Sequence, residues 1–288
     1  MTSREHYVPQ FYLKSFADEF GKLIVYDVVK DSFSTQKPEA ICFENNLYET
    51  KFDGNVQLNY KYVTHNEIEQ TLSGYESEFA ALLGIIKKRC IKGQNPKAHI
   101  LEGEQISVLR RFVVNMLVRN PINMEKLRIN SLDDDFFKSD FYKQLSFVLS
   151  EMGMGGENSL CIAAKKKAFL TFDEEDSLPC NLVKALKDLD YVFFYANEGE
   201  FISGDNPVCF GTDPYIKSTN NTCLFFPLTP KVAVLFGNYT DSRKTNNKMI
   251  GINKNVVLSL SKQMVDKHHC LRFLFSSKKD ILMACISR

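Results

Sequence analysis

Residues 66–90 read NEIEQTLSGYESEFAALLGIIKKRC, and their apolar side chains recur three or four positions apart. That spacing is the period of an α-helix with one apolar face. The face consists of Ile68, Leu72, Tyr75, Phe79, Leu82, Ile86 and Cys90. We therefore predict a long amphipathic helix in this part of the chain.

The segments on the two sides of this helix differ from it in pattern. A second helix is predicted over residues 102–119, and Asn120 and Pro121 end it. The stretch KLIVYDVVKDSFSTQ at residues 22–36 predicts a β-hairpin, because β-branched and aromatic residues flank a turn. After residue 188, short aromatic and β-branched runs separated by Gly, Pro and Asn are typical of strands.

This order of elements predicts an α+β fold in which a helical middle section lies between N-terminal and C-terminal β segments. No linker of distinct composition interrupts the chain, so we predict one integrated domain. Both ends of the chain are expected to build one sheet around the helices. The three parts are residues 1–60 (β-rich), 61–188 (helical) and 189–288 (mainly β).

Composition limits the partners and the compartment. A net charge of +1 provides no chain-wide field for polyanions, so nucleic acid as a partner would depend on local basic stretches at residues 87–92, 165–167 and 243–248. No apolar run reaches the roughly 18 residues of a membrane span, and the N-terminus lacks the apolar core of a signal peptide. The eight cysteines form no CxxC pair, which indicates reduced, buried thiols. We therefore expect a cytoplasmic protein without membrane contact.

His6 is the first candidate for a catalytic or metal-binding residue. It precedes the helix that Pro9 is expected to begin, where the N–H dipoles favour a neutral imidazole. A neutral ring can act as a general base or as a metal ligand. Alternatively, His6 and Gln10 hydrogen-bond loop backbone beside the helix.

Two glutamates and an arginine form a second candidate set. Glu69 and Glu76 are seven residues apart, so two helical turns bring them to one face, about 10 Å apart along the axis. Arg119, on the second helix, could clamp a carboxylate or a phosphate. The alternative is that the carboxylates are half-solvated or simply paired with arginine.

Asp205 and Asn206 follow a predicted strand and precede Pro207. Asp and Asn often bond their own backbone in turns, which is one interpretation. The other is that the loop delivers Asp205 to the pocket of His6, as an oxygen ligand or as an acid. Oxygen ligands with one imidazole suit magnesium or manganese.

The opening segment resembles a known family. His6-Tyr7-Val8-Pro9-Gln10-Phe11-Tyr12-Leu13, followed by Phe16, is similar to the opening signature of the bacterial family called domain of unknown function 4238. Later features fit the same family and extend the resemblance to about residue 275: Glu69, Glu76, Arg119 before Pro121, the turn at residues 203–208, the segment at residues 227–230, and Asn253. The resemblance implies candidate positions but no reaction.

Two functions from different classes remain open. The first is a metal-dependent phosphodiesterase, a nuclease acting as a bacterial toxin or in phage defence. Its candidate catalytic residues are His6, Gln10, Arg119, Asp205 and Asn206, and its candidate ligands for Mg²⁺ or Mn²⁺ are Glu69, Glu76 and Asp205. The alternative is a non-catalytic binding module for a small anionic ligand or a partner protein. In a third interpretation, the polar set is a buried structural network.

Overall fold

The computed structural model describes residues 4–52, 62–63, 65–91, 99–132, 138–151, 156–173, 175–211, 223–237, 246–265 and 270–287. The fold is α+β, as predicted. The helices are α1 (Gln10–Ser15), α2 (Glu67–Arg89), α3 (Glu104–Val118), α4 (Pro121–Lys126), α5 (Asp140–Glu151), α6 (Glu157–Leu170), α7 (Leu178–Lys187), α8 (Lys254–Gln263) and α9 (Lys279–Ile286). The strands are β1 (Arg4–His6), β2 (Leu23–Asp27), β3 (Ser32–Gln36), β4 (Phe43–Asn45), β5 (Asp190–Ala196), β6 (Ser203–Gly204), β7 (Cys209–Gly211), β8 (Cys223–Pro227), β9 (Val232–Gly237), β10 (Met249–Ile252) and β11 (Phe273–Ser276).

A five-stranded sheet with the order β10-β5-β9-β8-β7 forms the centre of the C-terminal part. Strand β10 runs parallel to β5, and the other neighbours are antiparallel. Every residue of β8 and β9 is buried, because both faces of the sheet are covered. Val234 contributes to the core on the helical side, whereas Leu235 contributes to a second core with α8 and α9. This double burial explains the continuous apolar runs in the sequence.

A four-stranded sheet joins the two ends of the chain. Its order is β3-β2-β11-β6, and β2 pairs antiparallel with β11 through Val25 opposite Phe275. The expectation of one sheet was therefore wrong in part, because the C-terminal strands divide between two larger sheets while β1 and β4 form a separate pair. The single integrated domain stays a prediction, and the β2–β11 pairing supports it.

Aromatic contacts fasten the helical layer to the central sheet. Phe79 of α2 stacks on Phe112 of α3 with ring centroids 4.9 Å apart, and Phe112 meets Phe226 of β8 edge-on at 5.1 Å. Tyr12 of α1 stacks on Phe226 at 5.5 Å. These contacts confirm the apolar faces predicted for α2 and α3.

The described residues also bear on membrane and thiol chemistry. Within them, no helix has both the length and the apolar character needed to cross a membrane. All eight cysteines lie in the described ranges as free thiols, and all except Cys180 are buried. Burial raises the pKa of the Cys285 thiol to about 11.

Candidate functional site

Arg119 lies at the centre of a buried polar cluster. It follows the last turn of α3, and its side chain is 0% exposed. Its Nη1 donates to Glu76 Oε1 at 2.8 Å, its Nε donates to the Tyr48 hydroxyl at 3.1 Å, and its Nη2 donates to the His6 carbonyl oxygen. Burial opposes the charge, but Tyr48 and Glu76 outweigh it and raise the pKa of Arg119. Binding a phosphate through this guanidinium would require these bonds to break.

His6 presents a neutral ring to the same cluster. Burial, followed by the nearby charge of Arg119, lowers the pKa of the imidazole. The causes of this lowered pKa are therefore burial and the charge of Arg119. The sequence had instead suggested the dipole of α1, which has only six residues. The ring hydrogen-bonds the backbone of Glu39, and Nε2 is buried without a partner among the described residues. Nδ1 is therefore the donor, which leaves Nε2 as a proton acceptor.

Glu69 lies close enough to Arg119 and Glu76 for their charges to act on its carboxyl. Burial is the main cause that raises the pKa of its carboxyl, and the charges of Glu76 and Glu49 add to it, whereas Arg119 opposes them. Its Oε2 is buried and has no partner in the described ranges. The pKa of the His6 ring is thus lowered and that of the Glu69 carboxyl is raised, and the charges of Arg119 and Glu76 act on both groups.

Further unsatisfied polarity belongs to the same cluster. Asn115, one turn before Arg119 on α3, accepts from Arg119 Nη1 through Oδ1 at 3.4 Å. Its amide nitrogen is buried and makes no hydrogen bond within the described part of the chain. Because more than about 90% of buried polar groups in folded proteins are paired, three unsatisfied atoms on His6, Glu69 and Asn115 indicate a site for a ligand or for water.

Two further buried carboxyl groups, those of Glu5 and Glu49, lie close enough to Glu69 for their charges to interact with it. Glu5 and Glu49 are 1% and 7% exposed, and the nearby charge of Glu49 adds to the burial that raises the pKa of Glu5. The backbone N–H of Tyr48 donates to Glu5 Oε2 at 2.7 Å, and that of Asn66 donates to Glu49 Oε1 at 2.7 Å. Lys166 Nζ donates to the Glu49 carbonyl oxygen at 2.6 Å. Burial, partly offset by the bond from Tyr48, raises the pKa of Glu5 to about 7.

This pair gives folding stability a defined pH dependence. The pKa of Glu5 rises from 4.5 to about 7 on folding, so the folded state retains a proton that the unfolded chain releases. The resulting stability is present below the unfolded value and is lost as the pH rises through the folded value. Glu5→Gln keeps the acceptor for the Tyr48 N–H and removes the group that titrates. We expect this variant to be more stable than the wild type by roughly 1–3 kcal/mol near pH 8 and by much less near pH 5.

Urea unfolding of both proteins at the two pH values measures this difference. Glu44 faces Glu5 across the β1–β4 pair and is exposed, so Glu44→Gln serves as the control and should show no such change. A Glu5→Gln advantage that is equal at both pH values would contradict the raised pKa of Glu5 in the folded state.

Asp205 is held apart from this cluster. Its carboxylate accepts from the backbone N–H groups of Leu271 at 3.0 Å, Arg272 at 2.7 Å and Phe273 at 2.7 Å. Burial raises its pKa to about 6, against these three bonds, so the group is ionised near neutral pH. Within the described residues, no hydrogen bond or ion pair joins Asp205 to His6. Its carboxylate anchors the start of β11.

The two remaining candidate residues are Gln10 and Asn206. Gln10 is half-buried at the first position of α1, and no hydrogen bond among the described residues joins it to His6. Asn206 is buried beside Asp205. The structure thus joins His6, Glu76 and Arg119 by hydrogen bonds and places Glu69 within reach of the charges of Arg119 and Glu76. In the described part of the chain, no hydrogen bond links Gln10 or the Asp205 carboxylate to this set.

The predicted metal ligands do not converge in the part of the chain that the structure describes. There, no group of three or more His, Cys, Asp or Glu side chains is arranged to hold a metal ion. Glu76 is paired with Arg119, and both oxygens of Asp205 bind backbone N–H groups. The magnesium or manganese site therefore stays a prediction.

The basic triplet at residues 165–167 is mostly bound within the protein. Lys165 Nζ donates to the carbonyl oxygens of Arg128 and Ser131, and Lys166 is buried. Lys167 lies 2.7 Å from Glu67 Oε1. Because these three lysines are engaged within the protein, they offer little free positive charge to a nucleic acid. The stretch at residues 243–248 lies largely outside the described residues.

Sequence reasoning missed Glu5, Tyr48, Glu49 and Lys166. Glu5 adjoins the HYVPQFYL segment, and its burial could have been suspected from that position alone. Lys166 sits in a basic triplet, where composition suggests solvent exposure. Only the packing of α6 against the loop after β4 shows that its charge faces a carboxyl pair.

The fold and this geometry define an α+β protein built around a buried acid–base cluster. A family model described as Protein of unknown function (DUF4238) matches residues 4–280, and the chain belongs to that family. No curated protein and no solved structure matches the chain.

Proposed function

We propose that this chain is a hydrolase of phosphodiester bonds, a nuclease acting as a toxin or defence effector, which works by general acid–base catalysis. One observation carries the proposal. His6 Nε2 and Glu69 Oε2 are both buried and lack partners among the described residues, and both side chains respond electrostatically to the same Arg119–Glu76 ion pair. An unprotonated base and a carboxyl with a raised pKa are the two groups that such catalysis requires.

The roles follow from the protonation states. His6 Nε2 accepts a proton from the attacking water as the new P–O bond forms. Glu69 donates its proton to the leaving oxygen as the scissile P–O bond breaks. Arg119 acts as a positioning residue, because it donates to the His6 carbonyl oxygen and to the Glu76 carboxylate.

The charge balance of the cluster is compatible with an anionic substrate. The Arg119 charge offsets that of Glu76 within their 2.8 Å ion pair. The raised pKa of Glu5 favours its neutral form, and Lys166 Nζ donates to the Glu49 carbonyl oxygen. A cluster of several carboxyls can therefore accept a phosphodiester without strong repulsion.

The test uses the full chain and three substrates: RNA, single-stranded DNA and duplex DNA, each with Mg²⁺, Mn²⁺ or a chelator. We expect cleavage of at least one of them, and a fall in kcat of about 10²- to 10⁴-fold in His6→Gln and in Glu69→Gln. The chelator decides whether a metal takes part. Glu78→Gln is the control, because Glu78 lies on the same helix but is exposed and paired with Arg111.

Two outcomes would reject the proposal. One is wild-type protein that cleaves none of the substrates under any of the metal conditions, which would favour a binding module or a structural network. The other is cleavage that persists at the wild-type rate in both His6→Gln and Glu69→Gln.

A further inference from the structure

A surface cavity of about 580 Å³ lies at the start of α3, away from the acid–base cluster. Its lining includes Gly103, Arg110, Tyr191, Asn246 and Asn247. The size falls within the range typical of small-molecule sites, about 300–1,000 Å³. Nothing in the proposed hydrolysis uses these residues.

The walls of this cavity are held rigidly. Asn247 has a positive φ of 56°, and its side chain bonds both backbone groups of Leu101, accepting from N at 2.9 Å and donating to O at 2.6 Å. The Tyr191 N–H donates to Asn246 Oδ1 at 3.1 Å, which turns the Asn246 amide nitrogen away from that bond. A site whose walls are fixed before binding loses little entropy when it takes a ligand.

Tyr191 supplies the observation that points to a ligand. The residue is only 2% exposed, and its hydroxyl is buried without a hydrogen-bond partner in the described part of the chain. Buried tyrosine hydroxyls usually find a partner, so this one lacks an acceptor. Burial raises the pKa of Tyr191 to about 12, against the charge of Arg110, so the hydroxyl remains a donor.

Arg110 provides a positive charge in this cavity. Its guanidinium lies 6.0 Å from the centroid of the Tyr191 ring, and its Nε donates to the Leu186 carbonyl at 3.2 Å. Its two terminal nitrogens make no hydrogen bond to the described residues, which leaves the bidentate edge of the guanidinium available. Gly103 precedes the 15-residue helix α3 and offers no side-chain cap, so the positive end of the helix dipole lies in the same cavity.

We propose that this cavity binds a small molecule through a carboxylate or phosphate group. The oxyanion accepts from the Tyr191 hydroxyl and the Arg110 guanidinium, and the Asn246 amide contributes a third donor. Of the other charged or titratable groups that line the cavity, His99 adds a further donor, and Glu102 is exposed. A cationic ligand would leave the hydroxyl of Tyr191 without its acceptor.

Isothermal titration calorimetry of the full chain tests this with inorganic phosphate, pyrophosphate, acetate and citrate, against sodium chloride at matched ionic strength. We expect at least one of the four to bind. Binding confined to phosphate and pyrophosphate assigns a phosphate ligand, and binding confined to acetate and citrate assigns a carboxylate. Tyr191→Phe removes only the unsatisfied hydroxyl, so it should keep the wild-type melting temperature and weaken binding by about tenfold or more. Arg110→Gln should weaken it at least as much.

Two controls isolate the site. Tyr195→Phe removes a hydroxyl from the same strand, and His6→Gln alters the acid–base cluster, so both should bind the probe like the wild type. Failure of the hydrolase proposal therefore leaves this one standing. Absence of binding by all four probes, or wild-type affinity in either Tyr191→Phe or Arg110→Gln, would overturn it.

Discussion

Arg119→Met is expected to lower the free energy of unfolding by roughly 3–5 kcal/mol, because it removes one partner of a buried ion pair and leaves the other uncompensated. Arg119 is 0% exposed, and its bonds to Glu76, Tyr48 and the His6 carbonyl join α2, α3 and the first strand. Urea or thermal unfolding measures the loss.

The chain supplies a matched control for this prediction. Arg111 lies on the same helix and pairs with Glu78 of α2 at the same 2.8 Å distance, but these side chains are 26% and 49% exposed. Arg111→Met should therefore change the free energy of unfolding by less than about 1 kcal/mol. If Arg119→Met and Arg111→Met lowered the free energy of unfolding equally, burial would not be the reason why the Arg119 ion pair stabilises the fold.

Asp205→Ala is expected to be the second strongly destabilising change, with a loss of about 3 kcal/mol or more. Three partly buried backbone N–H groups at the start of β11 would lose their acceptor, and a donor left without a partner costs about 1–3 kcal/mol where water cannot replace that acceptor. Asp205→Asn should fall between alanine and the wild type, because the amide keeps one acceptor oxygen but turns an N–H towards other donors. Chemical denaturation of the three proteins tests this order.

Asp18 offers the comparison for Asp205. Its carboxylate also accepts from two backbone N–H groups, those of Phe20 and Lys22 at 2.9 and 2.8 Å, but in an exposed turn. Water can replace this acceptor, so Asp18→Ala should cost about 1 kcal/mol or less. If Asp205→Ala proved no worse than Asp18→Ala, the anchoring of β11 by Asp205 would be wrong.

The close approach of β11 also explains why a glycine precedes Asp205. A Cβ on Gly204 would lie 3.1 Å from the Phe273 carbonyl oxygen and 3.2 Å from Leu274 Cδ2. Strand β6 therefore approaches β11 closely, and the Asp205 N–H donates to the same Phe273 oxygen at 2.9 Å. Residues 204 and 205 work together to hold the C-terminal strand in the sheet that joins the two ends of the chain.

Several elements of the fold could be predicted because their pattern is local. Helices α2 and α3 bury one face each, so periodicity indicates their type. Strands β5, β8 and β9 are short apolar runs, which their length and their aromatic and β-branched residues indicate as strands. Helix α6 has no apolar stripe, since its buried positions include Ser159 and Lys166 along with apolar residues, and periodicity could not predict it. The division of the strands between two larger sheets depended on packing, because apolar runs do not specify their neighbours.

For the site, the sequence by itself determined that Glu69 and Glu76 share a helix face, because helical spacing fixes it. Tertiary structure alone decided that Arg119 binds Glu76, that Glu5 meets Glu49, and that the Asp205 carboxylate turns to β11. The physical reason is that the direction of a side chain along one element follows from local backbone geometry. Its partner is set by contacts between distant segments, and burial then decides how strongly each charge is held.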